Sequence, residues 1–179
     1  MCAPIAFPGG PWVRRALIIL AILAIALALF LIPRGTPAFE RGVNAYERGD
    51  YAEAARIWRP QAEDGRADAQ FQMGNLYRGG LGTERDYAEA ARWYRKAARR
   101  GNAMAQFDLG HFYQHGWGVA ADPARAYKWY RLASVDLPTG RFRHEARRHA
   151  DALLAQLPPE RRRAVREEVR SWSPVGGNE

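Results

Sequence analysis

The spacing of apolar positions changes along the chain. Ala16 to Ile32 (ALIILAILAIALALFLI) is apolar throughout. From residue 39 to 136, apolar side chains return every three or four residues, which predicts a series of amphipathic helices. Val135 to Gly140 interrupts this pattern. Phe142 to Leu157 then reads as a helix with Ala146, Ala150, Leu153, Leu154 and Leu157 on its apolar side. Pro158-Pro159 breaks it, and Glu160 to Trp172 reads as another, with Ala164, Val165, Val169 and Trp172 inward. β-branched residues are sparse outside the N-terminus, so the expectation is an all-α protein.

The first apolar run predicts a membrane-spanning segment. At about 1.5 Å per residue its helix would be roughly 25 Å long, slightly short of a ~30 Å hydrocarbon core. An uncleaved single-pass anchor is preferred because the run exceeds the ~7–15 apolar residues of a cleaved leader. A cleaved signal is the alternative, since Thr36-Pro37-Ala38 places small residues before a cut after Ala38. Arg14-Arg15 precedes the run, which keeps the N-terminus cytoplasmic and exports the rest. The expected location is a bacterial inner membrane with the repeat domain in the periplasm, or a soluble periplasmic or secreted form after cleavage.

The body contains an ungapped repeat. Ala67, Gln70, Gly74, Tyr77, Gly80, Gly82, Asp86, Ala90, Trp93 and Ala97 each meet the same residue 36 positions later. Such a period signifies stacked helical hairpins. An earlier copy keeps this offset in its second half (Asp50, Ala54, Gly65) but not in its first. Aligned on Tyr46 and Tyr77, its inter-helix loop is five residues shorter. Asp50, Asp86 and Asp122 stand where second helices should begin and can accept hydrogen bonds from unpaired N–H groups. Glu53 and Glu89 complete a capping-box pattern, and Pro123 suits a first helical position. Gly74 and Gly110 fall within helices and predict close crossings, with Gly80, Gly82, Gly116 and Gly118 supplying positive φ in loops. Trp93 with Ala97, and Trp129 with Ala133, form large–small pairs for interdigitation.

The expected organisation is a cytoplasmic segment 1–15, an anchor 16–32, a linker 33–38 and repeats over 39–136. The repeats divide as 39–66, 67–102 and 103–136. Capping helices at 137–172 and a disordered tail at 173–179 complete the chain.

These motifs resemble those of the Sel1-like repeat (SLR) family of the tetratricopeptide-like superfamily. The resemblance rests on Ala69-Gln70, Gly74, Tyr77, Gly80-Leu81-Gly82, Asp86, Ala90, Trp93, Ala97-Ala98 and Gly101, and on their copy 36 residues later. It implies a right-handed α-solenoid of antiparallel helix pairs that serves as an adaptor for protein complexes. Cysteine-rich relatives are linked with β-lactam binding or hydrolysis. Here Cys2 is the only cysteine, which removes their disulfides.

Charge adds a second surface. The formal net charge is +8, and Arg141, Arg143, Arg147, Arg148, Arg161, Arg162, Arg163, Arg166 and Arg170 gather near the C-terminus. A solvated cap with intrahelical ion pairs explains them most simply, and a functional surface for anionic lipid or an acidic partner is the alternative. No nucleic-acid-binding motif accompanies the charge. His111 and His115, four apart, are a weak two-ligand zinc candidate, because no Glu follows His111. No cofactor motif is present, and the serines lack nucleophile-elbow glycines.

A non-catalytic adaptor is therefore the preferred function, binding a protein or peptide in a concave groove lined by the first helices. Three polar rows should line it: Arg41, Gln72 and Asp108; Asn44, Asn75 and His111; Glu47, Arg78 and Gln114. By the family resemblance, the second row would contact the partner, with Arg41 and Arg78 as charge partners. A small periplasmic hydrolase acting on cell-wall-type substrates, or a basic membrane-surface module, are the alternatives.

Overall fold

The computed structural model describes residues 38–175. The apolar run lies outside them, so the anchor and leader readings do too. No helix among the described residues is long and apolar enough to cross a membrane. These residues form eight α-helices and no strand: α1 (Ala38–Glu47), α2 (Tyr51–Glu63), α3 (Ala67–Gly79), α4 (Tyr87–Arg99), α5 (Ala103–His115), α6 (Pro123–Asp136), α7 (Arg141–Gln156) and α8 (Pro159–Arg170). Each helix from α1 to α6 packs on its successor in an α-solenoid, and α8 returns to α6.

The second helices begin where the aspartates stand. Asp86 accepts from the N–H groups of Ala88 and Glu89 at 2.8 and 3.0 Å, and Asp122 repeats this with Ala124 and Arg125. The expected capping box is only half built. Glu53 and Glu89 turn outward to Arg56 and Arg92, because the cap N–H is already taken. Asp50 donates its N–H to Ala45 O, and Asp86 to Tyr77 O.

Glycines set the helix crossings. A Cβ on Gly74 would lie 2.5 Å from the Tyr94 ring, and one on Gly110 2.8 Å from the Tyr130 ring. Gly42 stands in the same relation to Trp58, which is 36 residues before Tyr94. The first hairpin is therefore in register through Gly42 and Gly74, 32 residues apart, and Tyr46 does not correspond to Tyr77. Its loop, residues 48–50, is four residues shorter than loop 80–86.

Hairpins are joined by three devices. Gly82 (φ +67°) lies so close to the start of α2 that a Cβ would be 2.5 Å from the Tyr51 carbonyl carbon, and Gly118 (φ +62°) abuts Tyr87 at the start of α4 in the same way. The buried Gln70 and Gln106 side chains donate to Ala62 O and Ala98 O in the last turn of the preceding helix. Arg59 and Arg95 donate to the hydroxyls of Tyr77 and Tyr113 in the next hairpin.

Trp58, Tyr94, Tyr130, Phe112, Met73 and Leu109 fill the core, with Trp93 and Trp129 also buried. At the C-terminal end, α7 buries Ala146, Ala150 and Leu153, and Leu157 is buried just beyond its end, while Leu154 is half-buried. Val165 is the buried residue of α8, and Ala164, expected inward, is exposed. Val135 and Asp136 extend α6, so the interruption is confined to 137–140. The disordered tail expected from 173 is ordered over its first residues: Val175 donates its N–H to Arg99 O at 2.8 Å, bringing Pro174 and Val175 back to the end of α4, and 176–179 lie outside the described residues.

Candidate functional site

The first helices α3 and α5, with α7 in the equivalent place beyond them, bound a concavity of about 410 Å³. Its walls are aromatic. Phe71 and Phe107 are 36 residues apart, and Phe142 joins them from α7, with its ring centroid 5.6 Å from that of Phe107. Trp117 enters from the loop after α5, stacked on Tyr87 at 6.0 Å and edge-on to Phe112 at 5.7 Å. Phe142 and Trp117 remain 45% and 42% exposed. Among the described Phe, Tyr and Trp rings these two are the most exposed, and both face this space.

Four of the predicted groove residues meet here: Asn75, Arg78, Asp108 and His111. Asn75 is already engaged. Its Oδ1 accepts from the Tyr94 hydroxyl at 2.8 Å, and its amide donates to Gln72 at 3.0 Å. One repeat later, the Tyr130 hydroxyl donates to Gln114 at 2.8 Å. The second helices therefore supply a recurring partner to the groove side, which the sequence pattern of the first helices alone did not reveal.

Burial controls the charges. It pushes the Asp108 carboxyl up to about 6, with Arg78 partly opposing the rise. His111 falls to about 4 through burial, reinforced by His149 and His115, so it is neutral at pH 7. Burial and the Asp108 charge raise the Tyr94 and Tyr130 hydroxyls well above the ordinary phenol range. Arg78 and Asp108 are consequently the two charges in the concavity, one of each sign. Arg78 forms no ion pair within 4 Å among the described residues.

The first-hairpin members of the rows lie elsewhere. The one-residue change of register makes Glu40, Val43 and Tyr46 the counterparts of Gln72, Asn75 and Arg78. Arg41 and Asn44 instead border a separate concavity of about 490 Å³ between α1 and α2, with Ile57 and Pro60 opposite. Glu47 is exposed at the end of α1. The His111 and His115 rings stack at 6.1 Å, and the described residues contain no group of three or more His, Cys, Asp or Glu placed to hold a metal ion. The aromatic wall went unnoticed in the sequence, although the recurrence of Phe71 at Phe107 was a signal.

Residues 67–102 and 103–134 match the Sel1 repeat. The chain thus carries two Sel1 repeats in tandem. It resembles, at 26% identity and a TM-score of 0.66, a protective antigen of uropathogenic Escherichia coli strains that displays an SLR fold; the match covers 75% of this chain and 29% of that one. It also resembles a Sel1 repeat protein from Oxalobacter formigenes, at 30% identity and a TM-score of 0.57, over 77% of this chain and 58% of that one. The chain thus spans well under two thirds of either relative. No curated protein matches its sequence. Sel1-like repeats generally mediate protein–protein interaction and are typically non-catalytic.

Proposed function

We propose that this protein is a membrane-tethered, exported adaptor that captures a protein partner in the concavity between α3, α5 and α7. The observation that carries the binding site is the gathering of exposed Trp117 and Phe142 with Phe71 and Phe107 around one opening. Rings left half in water beside a preformed hollow are the usual anchors of recognition. Arg78, Asp108 and His111 are its polar contacts, Asn75 being held by Tyr94 and Gln72. Tethering rests on Arg14-Arg15 followed by the apolar run Ala16 to Ile32.

Crosslinking in intact membranes, followed by pulldown, tests the site. Trp117→Ala with Phe142→Ala should abolish partner capture while leaving the melting curve close to wild type. The comparison variant removes Arg161, Arg163 and Arg166 from α8. It spares Arg162, which ties α8 to the carbonyls of Leu157 and Ala155. Loss of capture only in this second variant would move the working surface to the basic end. A reporter fused after Glu179 should be active only in its exported form, and a cytoplasmic reporter would end the tethering proposal.

A further inference from the structure

The charge pattern of the concavity narrows the class of partner. Arg78 brings donors from α3, and Asp108 brings acceptors from α5. At neutral pH their charges cancel. The other titratable groups facing Asp108 add none: Tyr94 from α4 and Tyr130 from α6 keep their protons, and His111 on α5 itself is neutral. An opening with aromatic walls and no net charge gives little preference to an acidic or basic side chain. It instead suits an apolar one, attached to a group that both donates and accepts a hydrogen bond. The main chain of an extended peptide is such a group, because one residue's N–H and C=O point to the same side.

Resting on the adaptor reading above, we infer that the concavity takes an uncharged extended peptide segment, seating one large apolar side chain among Phe71, Phe107, Trp117 and Phe142 while Asp108 accepts a main-chain N–H and Arg78 donates to a main-chain carbonyl. Asn75 is left out of the main-chain contacts because Tyr94 and Gln72 already hold its amide.

The test uses the full chain in detergent and fluorescent nine-residue Gly/Ser peptides with a central Phe, Leu or Ala. Further peptides carry flanking Lys or Glu, or an N-methylated central Phe. The Phe and Leu peptides should bind at least about tenfold more tightly than the Ala peptide, as burial of a large apolar group requires. Flanking charge should change affinity less than the central residue does. N-methylation should weaken wild-type binding by about tenfold, the scale of one hydrogen bond to a charged group, and should have little effect in Asp108→Leu. Because that variant changes a half-buried position, Arg78→Met provides an exposed second probe. It should weaken the Phe, Leu and Ala peptides alike and preserve their ratios. Three results would each overturn the inference: equal binding of Phe and Ala peptides, dominance of flanking charge, or an equal N-methyl penalty with and without Asp108. If no peptide binds while partner capture still depends on Trp117 and Phe142, this inference falls and the adaptor reading stands. If capture ignores those rings, the adaptor site itself falls.

Discussion

The first and third hairpins share one backbone plan and differ where neighbours meet. In α5–α6, the side facing the preceding hairpin carries Leu109, Phe112, Trp129 and Ala133, all buried. The corresponding positions of α1–α2 are Arg41, Asn44, Ile57 and Gln61, and none of them is buried. The second hairpin behaves like the third, with Met73, Leu76, Trp93 and Ala97. Among the described residues, a position in this array is apolar when another hairpin covers it and largely polar when no described hairpin does. The repeat motif therefore encodes stacking as well as the hairpin itself, and the first copy has lost only the stacking part.

Truncating the two sides of this comparison should give the widest separation. Trp93→Ala and Trp129→Ala should each cost about 3–5 kcal/mol, the range for large aromatic core residues. Ile57→Ala, at the half-buried equivalent in the first hairpin, should cost about 1 kcal/mol or less. Denaturant unfolding of the three variants measures the difference, and equal losses would mean that the end of the array is covered after all. Gly118→Ala comes next, at more than about 2 kcal/mol. A left-handed alanine costs roughly 1–2 kcal/mol, and contact with the Tyr87 backbone adds to it. Gly49 also has positive φ, in the short first loop, but a Cβ there meets nothing within 4 Å. Gly49→Ala should therefore show the conformational part alone.

Helix caps give a smaller contrast. Asp122→Ala should lose about 1 kcal/mol. Asn102 caps α5 through a bond from Ala105 N–H, whereas its counterpart Arg66 makes no side-chain cap bond at α3. Arg66→Asn should then gain about 0.5 kcal/mol, less whatever is lost with the Arg66–Phe39 contact.

Two buried groups pull the pH dependence in opposite directions. Folded Asp108 keeps its proton up to about 6, against an ordinary 3.8, so its contribution to stability declines as pH rises through that window. His111 acts in the opposite sense. Its value falls from 6.5 to about 4, so stability is lost as pH drops between them. Melting temperatures of Asp108→Asn should thus fall more steeply than wild type between pH 7 and 4, and those of His111→Gln less steeply.

The fold was legible because its signals are local or strictly periodic. Asp86 announces a helix start from its own residue type, and the 36-residue offset locates Gly74 and Gly110 without further knowledge. The site was less legible for two reasons. Register in the first copy is set by Gly42 fitting under Trp58, a contact between helices, whereas the shared tyrosine of Tyr46 and Tyr77 invites an alignment one residue away. The hydrogen bond from Tyr94 to Asn75 likewise spans 19 positions and two helices. A helical wheel sorts residues by face and cannot show which hydroxyl stands opposite.

The long loops give the array a direction of growth. Gly82 rests on a helix start made 31 residues earlier, and Gly118 does the same one repeat on. A chain emerging N-terminus first therefore presents each seat before the loop that will occupy it. A hairpin duplicated on the C-terminal side arrives with its own fastener and finds its seat waiting. One placed ahead of α1 would bring a loop with no predecessor to hold, and would meet Arg41 and Asn44 where an apolar surface is needed. The array is thus built to lengthen between α6 and its closing pair, α7 and α8, and to remain fixed at its beginning.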